Sequence, residues 1–349
     1  MKILYVSSNH PSLEYDDLSM LTALGMDWFS TGVYSDPKNP LKSLQTRPPI
    51  NKKIDNGLLS QFKKLNRSYI PFENSTINLS KEFVDNFDVV WVTHTFYNID
   101  YNWLHIKHKP VIWRTYNQQD PSWEEKAKTY KKAGLKIVRM GYTEANRLTF
   151  AGQDEVIRGY VDLEVFTGWV GNKKVVLTYN SRFQQRLNQS LNQCNKSYLK
   201  VREAFNCFEL YGFENLTSIS LGPVSYEKQI EKYKESMVYF SLNSESAVYT
   251  NAFMEALMTG IPVVTFGSNL SNVISNPELR NTYEVPNLVI NGKEAIISDD
   301  IEEIKQEIQK LLDSPDYRIQ IGNSGRQKAM KLFNKEVIFD QWKNFLQTL

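Results

Sequence analysis

The sequence has few of the residues that build disulfide frameworks and metal sites. Its 349 residues include two cysteines, Cys194 and Cys207, and four histidines. The cysteines lack the spacing of a zinc site and are too few for a disulfide framework. We therefore interpret both as free thiols in a reducing compartment, and we expect no metal and no obligatory cofactor.

Long hydrophobic runs are also missing. No apolar run approaches the roughly 20 residues of a membrane-spanning helix. The first residues, "MKILYVSS", turn polar too soon for a secretory signal peptide. The net charge of +2 gives little support for nucleic acid as a partner. We therefore expect a cytoplasmic protein without a transmembrane segment.

Glycine-rich phosphate loops are absent too. No G-x-G-x-x-G follows the strand that opens the chain or the strand that opens its second half, where the sequence reads "VSSNHPSLEYDD" and "TYNSRFQQR". No G-x-x-x-x-G-K-[ST] occurs anywhere. These absences argue against a dinucleotide-dependent dehydrogenase and against a P-loop nucleotide hydrolase.

Short apolar strands alternate with helical stretches through most of the chain. Predicted strands in the first half are "KILYV", "WFSTGVY", "FDVVWVTH", "KPVIWRTY" and "LKIVRMGY". The pattern pauses from Val156 to Lys174, with the join between the halves near Asp162–Gly171, and restarts with "VVLTYN", "CFELYGF", "MVYFSL" and "PVVTF". Such alternation is typical of a parallel sheet covered by helices. We predict an α/β protein with two Rossmann-like domains facing a cleft, at 1–165 and 166–332, and a final helix at 333–349 that crosses back to the first domain.

Local signals place several helix ends. "EYDDLSMLTALG" predicts a loop and a helix that ends at Gly25, with Asp16 or Asp17 as a possible cap. Asp299 or Asp300 is expected to cap a helix with its apolar face on Ile301, Ile304, Ile308 and Leu311.

The second half resembles the GT-B glycosyltransferases of the large retaining family four. "EALMTGIPVV", Glu255–Val264, matches the second part of the family signature, which reads E-x7-E followed by A-(small)-x-G-x-P-V-V. "VIRGYVDLEVF" and "VVLTYNSRFQQR" resemble the family's interdomain turn and phosphate-binding loop. The resemblance covers roughly Val156 to Phe345, and it implies a sugar transferred from a nucleoside diphosphate sugar to a hydroxyl.

The resemblance also implies roles for individual residues. Glu255 would bind the ribose hydroxyls of the donor, although a buried salt bridge is the alternative. Arg182 would stabilise the leaving diphosphate, unless it lies in a solvated basic turn. Ala247 stands where the first glutamate of E-x7-E belongs, and Glu245 is the carboxylate placed to substitute for it. Further donor-binding candidates are Arg186, Ser181, Ser244, Thr250, Asn251 and Tyr211.

The first half offers fewer candidates because the family's catalytic histidine has no clear counterpart. His94 and Arg114 lie at predicted strand ends, and we name both as catalytic candidates. His10, Glu14 and Asp16 follow the first strand and are candidates for the acceptor side.

The acceptor stays open at this level. A glycan or surface polysaccharide is the expected acceptor, with retention of anomeric configuration and no metal. DNA with a hydroxymethylated base is an alternative, because the Lys/Asn-rich stretch from Asp36 to Lys53 resembles a backbone-tracking loop. The sequence is also compatible with a sugar-nucleotide epimerase and with a non-catalytic GT-B-like binding protein.

Overall fold

The structure of the chain is a computed structural model that describes residues 1–7, 10–36, 38, 47–67, 76–116, 120–188, 193–216, 218–243, 247–272 and 281–349. The chain divides into two compact units. The first unit comprises Met1–Met140, Thr149–Ile157 and Phe339–Leu349, and the second comprises Gly141–Leu148 and Arg158–Ile338. None of the described helices combines the length and the apolarity needed to cross a bilayer.

The first unit is built on a parallel sheet of six strands in the order β2-β1-β3-β4-β5-β6. The strands are β1 Lys2–Val6, β2 Asp27–Ser30, β3 Val89–Thr93, β4 Val111–Arg114, β5 Lys136–Arg139 and β6 Glu155–Val156. The helices are α1 Pro11–Ala23, α2 Asn56–Leu65, α3 Lys81–Val84, α4 Tyr97–Ile106 and α5 Pro121–Lys132. Every residue of β3 and β4 is buried, as expected for central strands covered on both faces.

The second unit repeats this plan with a parallel sheet of five strands in the order β11-β10-β9-β7-β8. The strands are β7 Lys173–Tyr179, β8 Phe208–Tyr211, β9 Ser236–Ser241, β10 Val263–Phe266 and β11 Ile296–Ser298. The helices are α6 Phe183–Asn188, α7 Gln193–Arg202, α8 Tyr226–Glu235, α9 Asn251–Thr259, α10 Ser268–Ser271, α11 Val285–Leu288, α12 Ile301–Asp313 and α13 Pro315–Leu332. The last helix, α14 Lys335–Leu346, begins in this unit and continues into the first. A 3-10 helix at Tyr142–Asn146 also belongs to this unit. The predicted α/β class with two parallel sheets is confirmed.

Helix α9 has a well-defined start and end. The Thr250 hydroxyl accepts a hydrogen bond from the Phe253 backbone N–H at 3.2 Å, which caps the first turn. Gly260 ends the helix in the left-handed conformation, with φ of 93°, which glycine adopts without steric cost. The helix between them is almost entirely buried, so its one carboxylate, Glu255, is held at a fixed place in the second unit.

Two local predictions need correction, and one is confirmed. Helix α1 begins at Pro11, so Asp16 and Asp17 lie inside the helix and do not cap it. The second strand ends at Ser30, and residues 31–35 form a bend and turn where "WFSTGVY" predicted a continuing strand. The α12 cap is confirmed as Asp300, whose carboxylate accepts from the backbone N–H groups of Glu302 and Glu303.

The last helix returns to the first unit, as the sequence predicted. Helix α14 starts among residues of the second unit, and Phe339–Leu349 belong to the first. There the Trp342 ring lies 4.2 Å from the Trp91 ring on β3, centroid to centroid. Burial of this indole, which is only 2% exposed, anchors the end of the chain on the first sheet.

Candidate functional site

The segments that follow β7 and β8 pack together as a double loop at the carboxyl edge of the second sheet. The Asn180 N–H donates to the Tyr211 carbonyl, and the Arg182 N–H donates to the Phe213 carbonyl, both at 2.9 Å. Asn215 fastens the pair because its amide donates to the Asn180 carbonyl at 2.7 Å. In open parallel sheets ligands bind at this edge, so the double loop is positioned as a binding surface.

Arg182 is the most exposed basic group of the double loop. Its Nε donates to Oε2 of Glu214 at 2.8 Å. Arg186 lies one helical turn further on, half-buried, with Nη1 3.4 Å from Oδ1 of Asn180. The Ser181 hydroxyl accepts from the Phe213 N–H at 3.1 Å, and therefore supports the loop.

Glu255 is buried, with 3% of its surface exposed. Its Oε2 accepts hydrogen bonds from Gln229 Nε2 at 2.7 Å and from the Tyr233 hydroxyl at 3.2 Å. Both donors come from α8 and both are neutral, so in neither contact does a cation compensate the carboxylate. An ionised carboxylate accepts hydrogen bonds on both oxygens, which is the chemistry that binding of vicinal hydroxyls requires.

Tyrosine rings surround the region of Glu255. The Tyr179 ring lies 5.2 Å from the Tyr233 ring, and the Tyr239 ring lies 5.4 Å from it, centroid to centroid. Burial raises the pKa of all three phenols, and the charge of Glu255 raises it further. They therefore remain protonated, as the hydrogen bond from the Tyr233 hydroxyl to Glu255 requires.

Tyr211 lies at the end of β8 with its ring 5.8 Å from that of Tyr179. Its hydroxyl donates to Oε2 of Glu209 at 2.9 Å, and Lys232 Nζ donates to the same oxygen at 2.8 Å. The ring is therefore fixed in orientation beside the tyrosine cluster.

Two other donor-side candidates lie at the start of α9. Thr250 caps the helix, and Asn251, which is half-buried, is its first residue. Ser244 and Glu245 lie outside the described residues.

In the first unit His94 adopts an unusual backbone conformation at the end of β3. Its φ is 55°, and its N–H donates to the Arg114 carbonyl at 2.8 Å. The His10 ring, exposed at the start of α1, lies 6.0 Å from the His94 ring, centroid to centroid. Burial, assisted by the nearby His10, lowers the pKa of His94 to about 4, so the imidazole is neutral at pH 7.

Arg114 is buried at the end of β4, and its Nη1 donates to the Arg139 carbonyl at 2.8 Å. Its Nε has no partner among the described residues. Nearby, Asp17 accepts from the hydroxyls of Tyr5 and Tyr116. Burial raises the pKa of Asp17 to about 6, although the Arg114 charge and both hydroxyls oppose the shift.

Glu14 is buried, and it holds the turn after β2. Its carboxylate accepts from the hydroxyls of Ser7 and Ser30 and from the backbone N–H groups of Val33 and Tyr34. These bonds explain why β2 ends at Ser30, because they draw the following N–H groups away from the sheet. Burial raises the pKa of Glu14. Asp16 is half-buried on α1.

The candidates therefore form separate groups. In the second unit, one described group occupies the double loop, and another joins α9 to α8. In the first unit, the two histidine rings form one group, and Arg114 with Asp17 forms another. Within the described parts of the chain, no set of three or more His, Cys, Asp and Glu side chains is arranged to hold a metal ion.

Some contributing residues were missed by reasoning from the sequence. Gln229 and Tyr233 approach Glu255 from a helix whose sequence gives only a helical pattern. Glu214 ends a turn that follows a strand, but no sequence signal indicates that it pairs with Arg182. For Asp17 the sequence suggests only a helix cap, because its tyrosine partners are distant along the chain.

No protein-family model matches the sequence, and no curated protein matches it by sequence. Solved structures do match. The sucrose-phosphate synthase of Thermosynechococcus elongatus is 13% identical, with a TM-score of 0.69, over 100% of this chain and 98% of that one. Anabaena HepE, solved in complex with UDP-glucose, is 12% identical, with a TM-score of 0.65, over 100% of both chains.

A glycosyltransferase from Rickettsia africae is also similar, at 14% identity and a TM-score of 0.61, over 99% of this chain and 97% of that one. These likenesses span the whole chain. The chain therefore has the GT-B fold.

Proposed function

We propose that this protein is a glycosyltransferase of the retaining family-four type. It takes a sugar from a nucleoside diphosphate sugar and transfers it to an acceptor hydroxyl, with retention of configuration and without an obligatory metal. Support comes from the GT-B fold and from the signature "EALMTGIPVV". The similar HepE was solved with UDP-glucose, which makes that compound the first donor to test.

The observation that carries the proposal is the setting of Glu255. Its carboxylate is buried on α9, and the two donors of known geometry, Gln229 and Tyr233, are neutral. Buried ionisable groups are concentrated at functional sites, which makes this carboxylate the first candidate for donor binding. A vicinal ribose diol offers two hydroxyl donors, and a carboxylate can accept both.

The diphosphate would be bound where the double loop presents its basic groups. Arg182 offers a planar guanidinium suited to two phosphate oxygens, and Arg186 follows one turn later. Negative charge grows on the diphosphate as the bond to the sugar breaks. Fixed cations therefore stabilise the transition state more than the bound donor, which is the condition for catalysis.

The first unit would supply the acceptor side and further catalytic groups. His94 is neutral at pH 7 and held in a constrained backbone, so it is suited to accept or donate one hydrogen bond to a hydroxyl. Arg114 has an unused buried N–H among the described residues. His10 and Asp16 are the accessible acceptor-side candidates, whereas the carboxylate oxygens of Glu14 already accept bonds within the protein. We propose a glycan or surface polysaccharide as the acceptor class.

A panel of nucleotide sugars measured by thermal shift, beginning with UDP-glucose, tests the donor. Release of nucleoside diphosphate is then followed with and without candidate glycans. A transferase releases it slowly alone and faster with the right acceptor, and NMR of the product gives the anomeric configuration. Conversion of the donor sugar without release of nucleoside diphosphate would indicate an epimerase. Donor binding without turnover would indicate a non-catalytic protein. Either result overturns the proposal.

A further inference from the structure

Arg182 and Glu214 form an ion pair in which both residues have an unusual backbone conformation. Arg182 Nε and Nη2 approach the two oxygens of the Glu214 carboxylate at 2.8 and 3.4 Å. Both residues have left-handed backbones, with φ of 58° and 55°. They are two of the four non-glycine residues with positive φ among the described parts of the chain. Strained backbone conformations of this kind are concentrated at functional sites.

The strain is imposed by the double loop and not by the ion pair. The Arg182 N–H is bonded to the Phe213 carbonyl, and Asn215 fastens the two segments at Asn180 and Phe183. The side chains of Arg182 and Glu214 are 44% and 43% exposed. An ion pair so exposed adds little to stability, so a purely structural role does not explain why these two side chains are paired.

The geometry of the pair matches that of a bound phosphate. A carboxylate presents two oxygens to the arginine fork in the way that two oxygens of a phosphate group would. Glu214 therefore occupies the face of Arg182 that the donor diphosphate would need. Both cannot be paired with the same guanidinium edge at once.

We propose that Glu214 is a resident counter-ion for Arg182, which the diphosphate displaces on binding and which pairs with Arg182 again when the nucleoside diphosphate leaves. This inference rests on the proposed function, because it assumes a diphosphate ligand at Arg182. Glu214 is then an affinity-determining residue and not a catalytic one. Its competition for Arg182 lowers the affinity for the nucleoside diphosphate product and speeds the release of that product.

The test is a double-mutant cycle with UDP as the probe. Titration calorimetry at low salt compares the wild type with E214Q, R182Q and the double variant. E214Q is expected to bind UDP about three- to fivefold more tightly, the range expected for loss of an exposed ion pair. Stopped-flow dissociation of UDP should slow by a similar factor. In the R182Q background E214Q should give no gain, because the competition for the arginine has gone.

E203Q is the matched control, because Glu203 is also exposed in the second unit and follows α7, before the start of β8. It makes the same charge change and should leave UDP affinity unaltered. Asparagine tolerates the left-handed backbone, so E214N is a second variant that should fold and bind more tightly as well. The inference fails if E214Q and E214N bind UDP as the wild type does or more weakly. If the wild type binds no nucleotide sugar and no UDP, the proposed function fails first and this inference falls with it.

Discussion

Glu255 is the residue on which the proposed donor site chiefly rests. Its carboxylate is 3% exposed, yet Gln229 and Tyr233 donate to it without neutralising it. The charge is thus tolerated because hydrogen bonds replace part of its lost hydration. Under the proposed function, the ribose hydroxyls of the donor would hydrogen-bond to this same carboxylate.

The substitution Glu255→Gln tests this link directly. Glutamine keeps the size of the side chain but removes the charge that strengthens hydrogen bonds to hydroxyls. We expect the affinity for the best nucleotide sugar to fall about tenfold or more, as when a charge-assisted hydrogen bond is lost. Calorimetric titration of E255Q beside the exposed variant E203Q measures the effect. Equal donor affinity in all three proteins would contradict the placement of the ribose at Glu255.

His94 gives a prediction about acid stability. Its pKa is lowered to about 4 in the folded protein, against about 6.5 in an unfolded chain. Between about pH 6.5 and pH 4, His94 is therefore protonated in the unfolded state but not in the folded state. The free energy of unfolding decreases as the pH falls through this range. Above about pH 6.5 the neutral His94 makes its full contribution to the free energy of unfolding.

The substitution His94→Asn should remove this contribution, and asparagine tolerates the φ of 55°. When the pH is lowered from 7 to 4.5, the unfolding free energy of H94N should fall by about 2 kcal/mol less than that of the wild type. Denaturant unfolding at both values measures it. Asp17, whose pKa is raised to about 6, acts in the opposite direction and is present in both proteins, so it cancels. Parallel losses in the two proteins would show that His94 is not buried as a neutral ring.

At the scale of elements, helix α14 depends on one large side chain for its attachment to the first unit. Trp342 is 2% exposed and packs on Trp91, and the Arg114 guanidinium lies 5.2 Å from the Trp342 ring centroid. Helix α14 therefore borders a catalytic candidate of the first unit.

Replacing Trp342 with alanine should destabilise the first unit by about 3–5 kcal/mol, because it leaves a large cavity beside β3. Phenylalanine at the same position should cost less, since it keeps an aromatic ring on Trp91 and Arg114. Thermal and urea unfolding of W342A and W342F measure both effects. If the alanine variant lost less than about 1 kcal/mol, the helix would not be anchored there.

Strands and helices with strong local signals could be predicted from the sequence, whereas the contacts between residues distant in the chain could not. The buried strands at Val89–Thr93 and Val263–Phe266 stand out as β-branched apolar runs. The second strand was predicted too long because Glu14, far away in sequence, binds the N–H groups of Val33 and Tyr34. The site has the same limit: Gln229 lies 26 residues before Glu255, and Glu214 lies 32 residues after Arg182. Only the fold brings these pairs into contact.

At the scale of the whole molecule, the described donor-side candidates all belong to one unit. Arg182, Tyr211 and Glu255 lie in the second unit, whereas His94 and Arg114 lie in the first. A donor that binds through the second unit should therefore stabilise that unit by mass action, because a ligand stabilises only the folded region that it contacts.

Hydrogen exchange with and without UDP tests this division. With UDP at about 100 times its Kd, exchange of the core amides of β7 and β9 should slow by up to about 100-fold. Amides of β1 and β3 in the first unit should change little. The R182Q variant at the same UDP concentration should show less protection, because less of it is bound. Slower exchange confined to the first unit would overturn the assignment of the donor to the second unit. Equal slowing in both units would contradict a donor that stabilises the second unit alone.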